Sequence, residues 1–157
     1  MKNKQEVKEV LLQMCSYCAS AERCCSDIQK KLDKKELSVD EQEYILHFLI
    51  NENFLNEERY AKAYVHDKYK FSKWGKRKIA QNLYVKSVEP KAIEAGLARI
   101  DKDEYLANLK SILVAKQRTI RAKNDYEMKQ KLARFALGRG FDYADIARFL
   151  PDLEGEW

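Results

Sequence analysis

Four cysteines lie close together in the first part of the chain, and their spacing raises the question of a metal site. Cys15 and Cys18 have the separation of a zinc half-site, whereas Cys24 and Cys25 are adjacent and make a poor second half. Cys18 also continues an apolar stripe at helical spacing. Zinc is therefore the alternative, and we expect buried or free thiols, no metal and, in a reducing compartment, no disulfide.

Residues that often carry catalysis are present, but their arrangement is not catalytic. His47 and His66 are isolated, with no carboxylate or serine at a spacing that would recruit either one as a base. Glu57 and Glu58 are adjacent carboxylates, but the helix dipole explains acids at a helix start. The Gly-Arg-Gly at 138–140 lacks the strand-then-helix context of a phosphate-binding loop. We predict that the protein is not an enzyme and has no cofactor.

The strongest functional signal is a basic stretch interrupted by Trp74 and Gly75. From Lys68 to Val88 there are seven basic residues and no acid. The Trp-Gly pair separates two helical patterns, so the basic side chains flank a turn. Trp74 could be a binding hot spot or could cover the core between two helices, and the residues alone leave both interpretations open.

A second basic run without an acid extends from Tyr105 to Asn124, where the next repeat has its corresponding turn. One such run is most often a solvated helix face, but two aligned runs in a chain of net charge +5 favour a polyanion or an acidic partner surface. The predicted partner-binding residues are Lys70, Lys73, Trp74, Lys76, Arg77, Lys78, Arg118, Arg121, Lys123, Lys129 and Arg134.

Composition predicts an all-α fold, because five Gly and two Pro in 157 residues leave few turns for hairpins. Apolar periodicity predicts nine helices in three sets. Pro90 is predicted to be the first residue of the sixth helix, where its missing N–H costs nothing. The predicted N-caps of other helices are Asp40, Asn56, Asp101, Asn124 and Asp142.

The three sets of helices align as an internal repeat with a period near fifty residues. The aligned apolar positions are Ile28, Ile79 and Met128; Leu32, Leu83 and Leu132; Val39, Val88 and Phe141; and Tyr44, Ile93 and Ile146. We predict an elongated tandem array of three three-helix modules at 1–54, 55–100 and 101–157, stabilised by stacking of neighbours. Four extra residues predict a longer second helix in the last module.

The sequence resembles the RecX family, bacterial proteins that regulate the RecA recombinase. The resemblance is carried by FLNEERYA at 54–61, FSKWG at 71–75, and then Arg77 and Ile79. It extends more loosely over nearly the whole chain. The joined pattern, with the basic Trp-Gly turn at its set distance from the first motif, is its specific part.

The resemblance implies a non-enzymatic regulator that binds RecA filaments on single-stranded DNA and lies in their helical groove. Such a protein is expected to inhibit ATP hydrolysis, strand exchange and coprotease activity, in recombination, DNA repair and the SOS response. We expect a monomer with, at most, a weak direct contact with DNA. The N-terminal sequence lacks the apolar core of a secretion signal and no apolar run could span a bilayer, so we expect a cytoplasmic protein.

Two other functions remain open from the residues. Three-helix modules with basic turns could bind nucleic acid directly, although a net charge of +5 is modest for tight DNA binding. The chain could also be a structural adaptor whose basic turns are incidental. Binding to DNA with and without RecA separates the first of these from a filament regulator.

Overall fold

The computed structural model describes residues 3–150. All regular secondary structure within that range is α-helical. The helices are α1 (Lys4–Ser20), α2 (Cys25–Leu32), α3 (Val39–Asn51), α4 (Glu57–Lys70), α5 (Lys76–Val85), α6 (Pro90–Leu97), α7 (Lys102–Gln117), α8 (Asp125–Gly138) and α9 (Tyr143–Ala147). The predicted all-α class is confirmed. Over the described range, none of these helices combines the length and the apolar character needed to cross a bilayer.

Most helix starts follow the local side-chain chemistry that the sequence indicates. Pro90 opens α6 as predicted, and Asp142 occupies the N-cap position of α9 without a side-chain cap hydrogen bond. Three further predicted caps accept a hydrogen bond from a first-turn N–H: Asn56 from Arg59 at 2.9 Å, Asp101 from Asp103 at 3.3 Å, and Asn124 from Glu127 at 2.9 Å. These contacts satisfy N–H groups that have no partner inside the helix.

The start of α3 differs from the prediction, because Ser38 rather than Asp40 is its N-cap. The Ser38 hydroxyl accepts from the Glu41 N–H at 3.1 Å, and the Glu41 carboxylate accepts from the Ser38 N–H at 2.8 Å. The sequence offers two such cap-and-acid pairs, two residues apart, and the earlier one forms the reciprocal capping box. Val39 is 70% exposed and Tyr44 is 56% exposed, whereas Ile45 and Leu49 are the buried residues of α3.

This shift corrects one row of the repeat. Leu37, which precedes the Ser38 cap and packs against the core, corresponds to the buried residues Val88 and Phe141 in place of Val39. A second row is wrong at Tyr44, which is exposed, although Ile93 and Ile146 of that row are buried. The other two rows are buried throughout, and their members are Ile28, Ile79, Met128, Leu32, Leu83 and Leu132.

Helix α2 ends at Leu32, and the N–H groups of Lys34 and Lys35 donate to the Lys31 and Leu32 carbonyls in the turn that follows. Helix α7 ends at Gln117, because the hydroxyl of Thr119 donates to the Lys116 carbonyl at 2.9 Å and the Thr119 N–H donates to the same oxygen at 2.9 Å. A side chain that bonds a last-turn carbonyl in this way competes with continuation of the helix.

The chain folds as two compact units, Met1–Ala63 with Leu83–Ala95 (unit 1) and Tyr64–Asn82 with Gly96–Trp157 (unit 2). The core of unit 1 includes Val10, Leu11, Met14, Cys18, Ile28, Leu32, Ile45, Leu49 and Leu55. The core of unit 2 includes Tyr105, Leu109, Leu113, Met128, Leu132, Ala133, Ala136, Phe141, Ile146 and Leu150. Helices α4, α5 and α6 each contribute residues to both units, and the domain boundaries predicted from the repeat stay a prediction.

Candidate interaction surface in unit 2

The predicted basic turn lies between α4 and α5 and is closed by backbone hydrogen bonds. The Trp74 N–H donates to the Lys68 carbonyl at 2.9 Å, which folds the chain back over the last turn of α4. Lys73 adopts a left-handed φ of 54°, a conformation that ends many helices but is uncommon outside Gly. The predicted helix break at Trp74 and Gly75 is confirmed, since α4 ends at Lys70 and α5 begins at Lys76.

Gly75 is buried where its backbone crosses that of Gly140. The Gly75 N–H donates to the Arg139 carbonyl at 2.7 Å, and the Arg77 N–H donates to the Gly140 carbonyl at 3.1 Å. A Cβ atom on Gly75 would overlap the backbone carbonyl of Gly140, and one on Gly140 would lie 2.5 Å from the Cβ of Lys78. Only glycine fits at both positions. This Gly75–Gly140 crossing therefore fixes the start of α5 against the end of α8.

Tyr105, on α7, also holds the start of α5. Its hydroxyl accepts a hydrogen bond from the Lys76 N–H at 2.9 Å, and its ring centroid lies 5.0 Å from that of Phe141. Burial raises the pKa of the Tyr105 hydroxyl to about 12, although the Lys76 N–H acts in the opposite direction. The hydroxyl thus supplies an acceptor for an N–H at the start of α5, where no helical carbonyl is available.

Two lysines lie over the indole ring of Trp74. The Nζ atoms of Lys68 and Lys78 are 4.8 Å and 4.4 Å from the ring centroid. All three side chains are half-buried, and neither ammonium group pairs with a carboxylate of the described residues. We call Lys68, Trp74 and Lys78 the Trp74 cluster. The indole holds two positive charges at the surface by cation–π contact, so Trp74 is neither a bare stacking face nor a fully buried core residue.

The other predicted residues of this turn are engaged with neighbours inside unit 2. The partners are Asp142 for Arg77 (2.7 Å), Glu104 for Lys70 (3.8 Å), the Ser111 hydroxyl for Lys73 (3.1 Å) and the Tyr105 ring for Lys76 (5.3 Å from the centroid). Carboxylates therefore compensate two of these four charges. The positive charge that no carboxylate compensates at this turn is carried by the Trp74 cluster, Lys73 and Lys76.

The predicted binding residues of the third module lie at the end of α7, before α8 and on α8. Arg118 follows α7, Arg121 and Lys123 precede α8, and Lys129 and Arg134 lie on α8. The parts of the third module that contact the turn are Tyr105 and Ser111 of α7 and the segment after α8. Equal position in a repeat does not by itself imply that residues meet in space.

The sequence does not predict Lys68, Tyr105, Arg139 or Gly140 as part of this surface. Lys68 belongs to the acid-free basic run and could have been included. The Gly-Arg-Gly segment carries a signal, but as a place for close backbone approach and not as a phosphate-binding loop. Tyr105 carries no sequence signal, since its hydrogen bond joins residues 29 positions apart.

The cysteines lie in unit 1, where Cys18 and Cys24 are buried and Cys15 and Cys25 are half-buried. Burial, followed by the negative charge of Glu57, raises the pKa of Cys25 to about 11. Burial also raises the pKa of Cys18 to about 11. Thiols that stay protonated at neutral pH are poor nucleophiles. Across residues 3–150 no three His, Cys, Asp or Glu side chains come together as metal ligands, and the lack of zinc stays a prediction.

Comparison with protein families shows that the α4–α5 turn and the segments that contact it lie in two known domains. Residues 56–97 match the model of the second three-helix domain of RecX, and residues 103–150 match that of the third. The two matches together cover more than half of the chain. They confirm the tandem three-helix organisation that the repeat predicts.

Related sequences and structures agree. The regulatory protein RecX of Clostridioides difficile is 34% identical over 130 residues, which is 80% of this chain and 60% of that protein. That of Clostridium acetobutylicum is 28% identical over 134 residues, 83% of this chain and 62% of that protein. The chain thus spans only about 60% of the length of these relatives. RecX from Lactobacillus salivarius, a crystal structure, superimposes with a TM-score of 0.82 at 19% identity, covering 97% of this chain and 99% of that one. At that identity the structure supports the fold alone.

Proposed function

Because the chain belongs to the RecX family, we propose that it is a non-enzymatic regulator that binds RecA filaments on single-stranded DNA. It inhibits their ATPase, strand-exchange and coprotease activities. It acts as a monomer in the cytoplasm, in recombination, DNA repair and the SOS response. Its partner is the filament, and any direct contact with DNA is weak.

The observation that carries this proposal is the Trp74 cluster. It lies within the part of the chain that matches the second RecX domain, and its two ammonium groups have no carboxylate partner among the described residues. Such charges, half-buried and held by an aromatic ring, gain most from an opposite charge on a partner. Tryptophan is also enriched among the residues that dominate binding energy at protein interfaces. An acidic patch on the filament is the complementary surface.

A tandem repeat suits a filament physically. The filament presents the same surface at regular intervals, and successive modules can each make a modest contact with it. Joined contacts bind more tightly than any one alone, because later contacts form at high effective concentration. A chain attached to several subunits opposes changes in their relative position, and we propose that this restraint slows ATP hydrolysis.

The test is a titration of RecA ATPase activity on single-stranded DNA with the wild-type chain and a Lys68→Gln, Lys78→Gln variant. We expect the variant to need about tenfold more protein for half-inhibition, a loss of about 1.4 kcal/mol. Its free energy of unfolding should fall by less than about 2 kcal/mol, because each cation–π pair near the surface contributes about 0.5–1 kcal/mol.

A Lys102→Gln, Lys110→Gln variant is the matched control, since it removes two exposed lysines of α7. It should inhibit like the wild type. No effect of the wild-type chain on RecA would refute the proposed function. Full inhibition by the Lys68→Gln, Lys78→Gln variant would leave the function standing and exclude the Trp74 cluster as its site.

Direct binding of single-stranded nucleic acid is the second candidate function, and the partial exposure of the Trp74 ring beside two lysines favours it. Aromatic faces and basic side chains are the usual parts of such sites. However, both lysines already lie over the ring, so a base would have to displace them. Tight binding to oligo(dT) without RecA, lost in Lys68→Gln, Lys78→Gln, would favour this candidate over the filament.

A further inference from the structure

A second aromatic ring in unit 2 carries two positive charges. Phe135 lies on α8, with the Nζ of Lys116 5.0 Å and the Cζ of Arg139 5.2 Å from its ring centroid. Lys116 is in the last turn of α7 and Arg139 follows α8. Over residues 3–150 neither cation pairs with a carboxylate. None of these three residues belongs to the predicted binding set.

The ring and the two cations border a shallow concavity of about 290 Å³. Its lining is completed by Ile112, Ala115 and Thr119, so an apolar floor lies between two positive groups. Small-molecule and cofactor pockets usually occupy about 300–1,000 Å³. This concavity, which we call the Phe135 concavity, has the size for one or two side chains of a partner.

The Phe135 concavity is connected to the Trp74 cluster through the backbone. The carbonyl of Arg139 accepts the Gly75 N–H at 2.7 Å, and Gly75 follows Trp74 directly. Lys78 is held at the same crossing, because its Cβ lies 2.5 Å from where a Gly140 side chain would begin. The segments that carry Lys78 and Arg139 are therefore held together at the Gly75–Gly140 crossing.

We propose that the Phe135 concavity binds an acidic protein segment, with an apolar side chain on its floor and flanking carboxylates on Lys116 and Arg139. This inference rests on the proposed function and adds a second contact to it. Arg139 offers a planar fork that matches a carboxylate. An apolar centre with charges at its edge is also the usual anatomy of a protein–protein contact.

A nucleic acid fits the Phe135 concavity less well. Two cations already lie over the Phe135 ring, so a base would have to displace them to stack. The sugar-phosphate backbone has no apolar group to place on Ile112 and Ala115. Two cations also supply little of the counterion release that drives nucleic-acid binding.

The test uses Ala115→Glu in the full chain, with Ala107→Glu as its matched control. Both alanines are exposed on α7, and both changes add one negative charge to a good helix position. Only the carboxylate introduced at position 115 would lie in the concavity, where it competes with the incoming carboxylates. We expect Ala115→Glu to weaken binding to RecA filaments on single-stranded DNA about tenfold, and Ala107→Glu to bind like the wild type.

A charge-removing pair checks the same site without blocking it. Lys116→Gln, Arg139→Gln should also weaken filament binding about tenfold, whereas Lys110→Gln, Arg148→Gln, at exposed positions of unit 2, should not. Filament binding that withstands both Ala115→Glu and Lys116→Gln, Arg139→Gln would refute the inference alone. An equal loss of binding to free oligo(dT) would show a nucleic-acid site and also refute it. A wild-type chain that does not bind the filament would overturn both proposals.

Discussion

At Tyr105, burial and a hydrogen bond act on one hydroxyl group. The side chain is only 4% exposed, and burial disfavours the charged tyrosinate form. The hydrogen bond that the hydroxyl accepts from the Lys76 N–H would stabilise the tyrosinate, but burial has the larger effect. The pKa of Tyr105 is therefore raised from 10.0 to about 12. The folded state is therefore more stable with the Tyr105 hydroxyl protonated than with it ionised.

The raised pKa predicts a loss of stability in alkaline solution. Because the unfolded chain releases the Tyr105 proton near pH 10 and the folded chain only near pH 12, the contribution is intact below pH 10 and is lost as pH rises towards 12. Two pKa units correspond to about 2–3 kcal/mol. Urea unfolding measures the free energy of unfolding at pH 8 and near pH 12. The wild type should lose about 2–3 kcal/mol more than Tyr105→Phe between these two pH values.

Tyr126→Phe is the control for the alkaline experiment, because Tyr126 is 73% exposed on α8 of the same unit. It should keep the wild-type pH dependence. At pH 8, Tyr105→Phe should itself cost about 1 kcal/mol, since the Lys76 N–H loses its acceptor. Identical pH profiles for the wild type and Tyr105→Phe would show that this hydroxyl is not the group responsible.

At the scale of elements, the Gly75–Gly140 crossing positions α5 against the end of α8. Gly140 has a φ of +98°, which side-chain-bearing residues rarely adopt. The two backbone segments also approach each other too closely for a side chain on either glycine. The basic turn is consequently placed by backbone geometry and not by the basic residues themselves.

We predict that Gly140→Ala lowers the free energy of unfolding by about 3 kcal/mol, because a left-handed backbone and overpacking each cost about 1–3 kcal/mol. The expected clash is with the Cβ and backbone nitrogen of Lys78, at 2.5 and 2.6 Å. Chemical denaturation of the purified variant measures the change. A cost below about 1 kcal/mol would mean that the crossing relaxes easily.

Gly138→Ala provides the comparison within the same segment. Gly138 is the last residue of α8, and a Cβ there would meet nothing within 4 Å. This variant should be as stable as the wild type or gain about 0.5–1 kcal/mol, since alanine is the better helix former. The two glycines are two residues apart, so the contrast isolates the crossing from general effects of substitution.

For the whole molecule, the net charge is a poor guide to which basic side chains can bind a partner. The ion pairs within the chain are a better guide. The net charge is +5, but ion pairs such as Arg77–Asp142, Lys70–Glu104 and Lys86–Asp27 neutralise part of the basic stretch. Those pairs are solvent-exposed or half-buried and add little stability. What they decide is which cations remain available to a partner.

The proposed binding to the RecA filament should therefore depend on salt through a few local charges. We predict that wild-type affinity falls as salt rises from about 50 to 200 mM. The dependence on salt concentration should be weaker for Lys68→Gln, Lys78→Gln, which has fewer ion contacts to screen. Lys102→Gln, Lys110→Gln should keep the wild-type slope in the same fluorescence-anisotropy titration. Equal slopes for all three proteins would place the electrostatic contact outside the Trp74 cluster.

The sequence by itself determined the all-α class, most helix starts and most buried positions of the repeat. These features depend on residues within one or two turns of each other, as Asn56 with Arg59 or Ile28 with Leu32 illustrates. Where two local patterns overlapped, at Ser38 and Asp40, local chemistry was ambiguous, and the reciprocal bond with Glu41 decided between them.

Only the tertiary structure decided which basic residues are available and where the turn sits. Arg77 looks like its neighbour Lys78 in the sequence, but Asp142, 65 positions away, compensates only Arg77. The Gly75–Gly140 crossing and the Tyr105 hydrogen bond likewise join residues remote along the chain. Periodicity reports which face of a helix is apolar, but it contains no distance between helices. Charge compensation and close backbone approach depend on that distance, so no local pattern could predict them.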